Sequence, residues 1–559
     1  MLCLRGKRLV KLNILFINNI IIKCTIRYLT ISFIAICILN INSLWAQKTY
    51  YIDSQNGNDN NDGLSKNTAW KSHTMVSTVT FQPGDTIAFK KGSQFTGPIQ
   101  FTESGTEQNP IVITSYGEGE LPRFTNPNDN DMNGNCIRIS GSWIILENLY
   151  FHDTPPTKDW HRLTSIFKMG AVLNMKGANH NIIRNNVFIR CTKAIQSTGE
   201  YTLITNNYME GPNHALWYEE GASGGWGPIG IHLGIGNQEV SYNVIKNYLT
   251  TNSPYGSDGG AIEIDDGRYH KKNIYIHHNY TEGNAGFIES SWGADYNPYV
   301  QEVYNLRVVF NINVDGQDWL YMWAPCHDCY FDNNTVIRTH DFTSPLNDVA
   351  YLDFGGIHFR NNLFVYNAGD AYQGPGAHGV ITENNWYLNI NDWSKNHWDP
   401  NQSGSGDPGL VDLENGDYHL KSNSPLRGKG VNLSEYYSVD YEGNSLPKNG
   451  VWDIGALQFP GASPDINENI QIKQNYPNPL NSHTIIKFSI PKTDNVALTV
   501  YNLIGQKIRT LLKNKMNPGI HFVRWDGKND NGSAVAPGIY FYKFQYRDCI
   551  EIKKMILIR

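Results

Sequence analysis

The strongest constraint on how this chain folds is a short unit that returns eight times between residues 143 and 390. It comprises two or three apolar residues, an asparagine and another apolar pair. Its copies are IIRNNVF (182–188), LITNNYM (203–209), EVSYNVI (239–245), IHHNYT (276–281), VVFNIN (308–313), YFDNNTV (330–336), HFRNNLF (358–364) and ITENNWY (381–387). A unit of this size cannot bury its apolar face alone, so it must stack on its neighbours, which predicts a solenoid. The aligned asparagines are Asn186, Asn207, Asn243, Asn279, Asn311, Asn334, Asn362 and Asn385. An inward asparagine at a corner can bond the amides of the coils above and below, supplying partners that a buried turn otherwise lacks.

The spacing of these asparagines is 21, 36, 36, 32, 23, 28 and 23 residues. A bare coil needs only the low twenties, so each coil between Asn207 and Asn311 carries about ten extra residues. Insertions in a solenoid become loops on one face, often the binding face. Here they hold Trp217, Tyr218, Trp226, Tyr255, Trp292, Tyr296 and Tyr299.

Upstream of each asparagine lies a second strand, and these align as VLNM (172–175), AIQS (194–197), GIHL (230–233), AIEI (261–264), FIES (287–290) and LYMW (320–323). Apolar and polar residues alternate at a period of two, so Ile262, Ile264 and Ile288 face one way and Glu263, Asp265 and Glu289 the other. The third positions form an outward column of Asn174, Gln196, His232, Glu263, Glu289 and Met322. Short β-runs between Gly-rich turns, without a useful helix-period segment, make the whole chain all-β. A net charge of −6 with no basic stripe argues against a nucleic-acid partner, and the abundant Trp and Tyr suit sugar rings.

Residues 1–46 read as a secretory signal peptide. Arg5, Lys7, Arg8, Lys11, Lys23 and Arg27 precede an apolar run from Leu29 to Leu39, and Leu44-Trp45-Ala46 ends in a small residue. The run is shorter than the ~20 residues of a spanning helix. Cys3, Cys24 and Cys37 would leave with it, while Cys136, Cys191, Cys326, Cys329 and Cys549 remain. Cys326 and Cys329 have C-x-x-C spacing, but no second pair completes a zinc site, so a local disulfide or two buried thiols is expected.

The opening (YYIDSQNGNDNNDG…PGDTIAFKKG…NPIVITSYGEGELPRF) and close (DPGLVDLENGDYHLKSNSPLRGKG…VWDIGALQF) of residues 47–460 resemble the ends of many bacterial proteins of the pectate-lyase-like superfamily. The resemblance implies a right-handed parallel β-helix and a secreted polysaccharide lyase or glycoside hydrolase. After a linker, 461–473, residues 474–559 (QNYPNPLNSHTIIKFSIP…VALTVYNLIGQKIRTLL…APGIYFYKF…KKMILIR) alternate strands with Gly-rich hairpins, as in a small β-sandwich. They resemble the type A C-terminal sorting domain of type IX secretion in Bacteroidota. That implies the type IX machinery as partner, and a secreted or cell-surface protein exported through periplasm and outer membrane. A monomer is expected.

Neighbouring coils sit about 4.7–4.9 Å apart. Glu263 and Glu289 thus approach the ~5–5.5 Å of a retaining glycosidase pair, one a nucleophile and the other an acid/base. Like charges that close cannot both ionise freely. GAIEIDDG resembles the Asp-bearing strand of some β-helix xylosidases, which implies Asp265 or Asp266 as the alternative partner of Glu289. His232 stands one coil earlier, within reach of a carboxylate or a sugar hydroxyl. Trp217, Trp226 and Trp292 are stacking candidates, and Asp258, Arg268 and His270 flank the site. A hydrolase of this kind needs no cofactor. The alternative enzyme is a lyase in which Glu263, Asp265 and Glu289 hold Ca²⁺ while Lys271 or His270 takes the C5 proton of a uronate. It resembles chondroitinase- and alginate-type lyases but has Glu289 where they would show an Arg. A third reading is a non-catalytic, glycan-binding or adhesin β-helix.

Overall fold

The computed structural model describes residues 47–557 apart from 128–133, 155–169, 213–216, 219–224, 254–255, 266–268, 291–300, 339–345, 350–355, 368–369, 374–379, 390–398, 460–470, 476–477, 479, 481–483, 491–492, 517–518 and 548. The expected signal peptide lies outside these residues.

Each coil contributes one short strand to each of three parallel sheets. Val172–Asn174 lies in the first, Ile182–Arg184 in the second and Val187–Cys191 in the third, after which Lys193–Ser197 returns to pair with Val172–Asn174. Among the described residues the first sheet has ten strands, from Ile99–Phe101 to Tyr372–Gln373. The second has thirteen described strands, beginning at Thr49–Ile52, and the third twelve, beginning at Gln94–Thr96. This is the right-handed parallel β-helix expected, the hand that right-twisted strands favour. Inward rows fill it. Ile137, Val172, Ile195, Ile231, Ile262, Ile288 and Leu320 are in register along the first sheet and all are buried. Parallel strands give no edge within the stack, so every coil but the terminal ones is paired on both sides.

The corner between the second and third sheets is held by the eight asparagines, all buried. Asn243 is representative: its Oδ1 accepts from Asn207 N and Nδ2, both at 3.0 Å. Its Nδ2 donates to Asn279 Oδ1 at 3.0 Å and Ile204 O at 2.9 Å, while its own N–H donates to Asn279 Oδ1. The chain of bonds is unbroken from Asn186 to Asn385 and ends on Asp399. The residue before each ladder asparagine (185, 206, 242, 278, 310, 333, 361 and 384) has φ between 50° and 57°. Asparagine tolerates that left-handed conformation best among residues with a side chain, which explains the Asn-Asn doublets.

Several of those left-handed residues bind a strap formed by 428–459. His278 Nε2 meets Asp440 O at 2.9 Å, Asn333 Nδ2 donates to Asp453 O and Gly455 O, and Asn361 Nδ2 donates to Val431 O. Burial pushes the His278 imidazole down to about 3, so it stays neutral. At the corner between the third and first sheets Asn284 and Asp315 form a shorter ladder, and burial raises the Asp315 carboxyl to about 7.

The tail forms two antiparallel sheets. Gln471–Ile472, Thr484–Ile490 and Gly519–Trp525 make one, and Asp494–Asn502, Lys507–Met516, Gly538–Tyr546 and Cys549–Leu557 the other. Between them lie Ile486, Phe488, Leu498, Val500, Trp525, Phe544 and Met555. Its first strand starts at Gln471, three residues ahead of the boundary read from sequence, because that pair already bonds Phe488 and Ser489. Cys326 and Cys329 are two buried thiols, unbridged.

Replacing Asn243 by Ala removes the four hydrogen bonds of its side chain and leaves the buried Asn207 N–H without its acceptor. Each buried group so stranded costs about 1–3 kcal/mol. Chemical denaturation should therefore show a loss of at least ~3 kcal/mol for Asn243→Ala. At the left-handed, exposed Asn206, the change Asn206→Gly should differ from wild type by under ~1 kcal/mol.

Candidate active site

The first sheet carries the predicted column on its outer face. Gln196, His232, Glu263 and Glu289 are register partners on four successive coils. The two ends of the column need correction. Leu173, not Asn174, is the partner of Gln196, and Tyr321, not Met322, is the partner of Glu289. Asn174 belongs to the inward row, where its Nδ2 donates to Thr202 Oγ1 and its Oδ1 accepts from Asn181. Met322 is likewise buried, beside Ser290 and Val349. In LYMW every residue is apolar enough to face the core, so alternation cannot fix the register there. The column continues past Tyr321 to Asp348 and Gln373, which the sequence alignment did not reach.

The long coils spend their extra residues beside this column. Two insertions join third-sheet strands to first-sheet strands: one between Glu210 and Ile229, the other between Lys246 and Gly260. A third leaves the opposite end of the sheet, between Ser290 and Val303. The first contains a hairpin in which Trp217 pairs with Trp226, and the second a hairpin in which Thr250 pairs with Asp258. Asp258, Trp217 and Trp226 are thus placed by backbone alone. Asp266, Arg268 and Trp292 lie outside the described residues.

Along the column exposure and charge change together. Gln196 is fully buried, His232 is 1% exposed, Glu263 is 8% exposed, and Glu289 and Tyr321 are half-buried. Lys193, itself 2% exposed, places Nζ 2.9 Å from His232 Nδ1 and 3.5 Å from Gln196 Oε1. Lys193 was not singled out in the sequence, where a lysine opening a strand looks like any solvated charge. Asp265 is half-buried, two residues past Glu263 and just beyond the strand. His270 is exposed, its ring edge-on to Tyr304. Lys271 opens the second-sheet strand Lys271–His277, fully buried, and its Nζ donates to Gln301 Oε1 and Tyr269 O. Gln301 in turn donates to Ile264 O and Ser290 Oγ, so this lysine braces the coils of Glu263 and Glu289 from the side rather than facing the groove.

On the far side of Glu289 the column becomes aromatic and acidic. Tyr321 and Trp323 stack, their ring centroids 5.3 Å apart and planes at 13°. Burial, then the charges of Glu289, Asp348 and Asp318, push the Tyr321 phenol up to about 12. Burial raises the Asp318 carboxyl to about 7, against the pull of Arg338, and raises that of Asp348 against the neighbouring Trp323. Among the described residues, the buried Oδ1 atoms of Asp318 and Asp348 and the Trp323 indole nitrogen make no well-formed hydrogen bond. Such groups are costly to bury unless something else meets them. Among the described residues no group of three or more His, Cys, Asp or Glu converges closely enough to hold a metal ion.

Comparison with known proteins gives two family matches. Residues 71–280 match the Chondroitinase B family model, a span that includes Glu263 and Asp265 but stops before Glu289. Residues 486–548 match the FlgD Ig-like domain. A lacto-N-biosidase of Bifidobacterium longum is 36% identical over 76 residues, 13% of this chain and only 5% of that protein. Similar solved structures include pectate lyase Pel9A, at 14% identity over 74% of this chain and 96% of the other, with a TM-score of 0.49. They also include XylC in complex with xylose, at 12% identity over 73% and 98%, with a TM-score of 0.47.

The Asp318 carboxyl titrates near 7 in the folded chain and near 4 when unfolded. Its proton is therefore held more tightly by the native state, and the stability this confers is present below pH ~4 and lost as pH rises through ~7. Asp318→Asn should stabilise the protein increasingly between those limits, by up to a few kcal/mol at pH 8. Thermal midpoints of both proteins across pH 4.5–8 check this, and a pH-independent difference would mean an ordinary exposed carboxylate.

Proposed function

We propose that this chain is a polysaccharide-degrading enzyme that hydrolyses a glycosidic bond between Glu263 and Glu289. The observation that carries the reading is their register: direct partners on adjacent coils, on the outer face of the sheet whose strands the insertions adjoin. A coil separation of about 4.8 Å suits a double displacement. One carboxylate attacks the anomeric carbon as the other protonates the departing oxygen. The second then takes a proton from water, whose oxygen displaces the first.

The neighbours of the two carboxylates differ in a way that supports distinct roles. Glu263 has His232 behind it, itself held by Lys193, and a cation on that side favours the charged form of a carboxyl group. Glu289 has the Tyr321 phenol as its register partner on the next coil, with Asp318 and Asp348 close to that phenol. Glu263 is therefore assigned as nucleophile and Glu289 as acid/base, with Asp265 the alternative nucleophile. The stacked Tyr321 and Trp323 rings offer an apolar face to a sugar in the next position, and the two aspartates hydrogen-bond partners for its hydroxyls.

One observation favours a second reading. The Chondroitinase B match covers the Glu263 strand, which supports a lyase that cleaves a uronate-containing glycan by β-elimination with Ca²⁺ on Glu263, Asp265 and Glu289. In that case His270 is the better base, since Lys271 is buried against Gln301. The C-terminal sandwich is assigned as a type IX export signal, which makes the enzyme secreted or surface-held.

Incubation with a panel of plant, algal and animal glycans separates the readings. A hydrolase yields reducing ends without new ultraviolet absorbance and is indifferent to chelator. A lyase yields the absorbance of an unsaturated product and stops with EDTA. Glu263→Gln and Glu289→Gln should each lower hydrolysis by at least ~10³-fold with the fold retained. Wild-type turnover in both would remove the column from the mechanism, and a loss confined to Asp265→Asn and Glu289→Gln would move the nucleophile to Asp265. Deleting residues 471–559 should leave the enzyme in the periplasm of its native host with full activity in the lysate.

A further inference from the structure

Lys193 sits in the floor of the column, opening the strand that carries Gln196. It is 2% exposed, and a lysine this deeply buried is rare unless it is held by specific partners. One partner is His232 Nδ1 at 2.9 Å and another is Gln196 Oε1 at 3.5 Å. An amide oxygen only accepts, and an ammonium only donates. If Lys193 is charged, Nδ1 of His232 must therefore present its lone pair to Nζ, and the one proton of the neutral ring must lie on Nε2. The adjacent ammonium also opposes a second proton on the ring.

The neighbours of that N–H follow from the stacking. Lys193 belongs to the coil on one side of His232, and Glu263 to the coil on the other. The two ring nitrogens point to opposite sides of the imidazole. With Nδ1 turned to Lys193, Nε2–H is the ring's remaining donor, and Glu263 is the register partner of His232 on the next coil.

We propose that Lys193 is a positioning residue that locks His232 as the neutral Nε2–H tautomer, so that His232 serves Glu263 or a sugar hydroxyl beside it as a fixed hydrogen-bond donor and never as a base. A donor aimed at the nucleophile keeps it ionised and oriented, which is how a buried carboxylate is made ready for attack. This role deepens the hydrolase reading and rests on it, whereas the tautomer does not.

The test is ¹⁵N NMR of the full chain labelled at histidine, with the His232 signals identified by their loss in His232→Gln. Wild type should show Nδ1 at the shift of an unprotonated nitrogen and Nε2 as N–H throughout pH 5–8. Lys193→Arg, which keeps the cation, should preserve that pattern. Lys193→Met should yield a mixture of tautomers or imidazolium, and kcat/KM on the glycan found in the panel should fall on the order of 10²-fold. An Nδ1–H tautomer or an imidazolium in the wild type overturns the proposal, whatever the activity. So does Lys193→Met with an unaltered His232 pattern. A wild-type pattern as expected in a protein that cleaves no glycan would uphold the tautomer and sink the hydrolase reading instead. Should Lys193→Met fail to fold, the wild-type and Lys193→Arg spectra still decide it.

Discussion

The chain of amide hydrogen bonds along one corner is the interaction on which the rest depends. Each ladder asparagine accepts from the coil before it and donates to the coil after it, so eight side chains act as one continuous strut from Asn186 to Asp399. Strand pairing alone fixes the distance between coils but permits a slip of register, because a short parallel strand of three residues has few bonds to oppose it. A side-chain ladder admits only one alignment. The catalytic proposal needs two carboxylates in one file, and the file is only as exact as the corner that indexes it.

The strap from 428 to 459 shows how the same corner is sealed on its outside. The left-handed residues turn their side chains away from the ladder, and His278, Asn333 and Asn361 use them to hold the strap's carbonyl groups. One bent position thus supplies an inner bond line through the second residue of each doublet and an outer one through the first. Asp332, fully buried at this corner, is matched by Arg360 and by the Tyr437 hydroxyl of the strap, so its charge is not left alone in the wall.

Across the first sheet the organisation is electrical rather than mechanical. A buried lysine stands at one end of the file, an imidazole and two glutamates follow, and an aromatic pair with two acid groups of raised pKa closes it. Placing unlike environments on either side of two like groups pushes their proton affinities apart, which a symmetric setting cannot do. The cost falls on stability, since Asp318 and Asp348 are half-buried and each has a buried Oδ1 with no well-formed hydrogen bond among the described residues.

The repeat of apolar pairs around asparagine was enough to determine a parallel β-helix, its corner ladder and the adjacency of Glu263 to Glu289, because stacking forces equal phases onto every coil. The clear alternation in AIEI and FIES set their facing, whereas VLNM and LYMW carry apolar residues on both faces and slipped by one. Only the tertiary structure decided what surrounds the file. Lys193 reaches forward to His232 on the adjacent coil, Lys271 turns sideways into Gln301 instead of facing the groove, and Asp318 joins Asp348 and Tyr321 from separate segments. Contacts of that kind depend on where long side chains come to rest, and periodicity, which records only which face a residue is on, does not contain them.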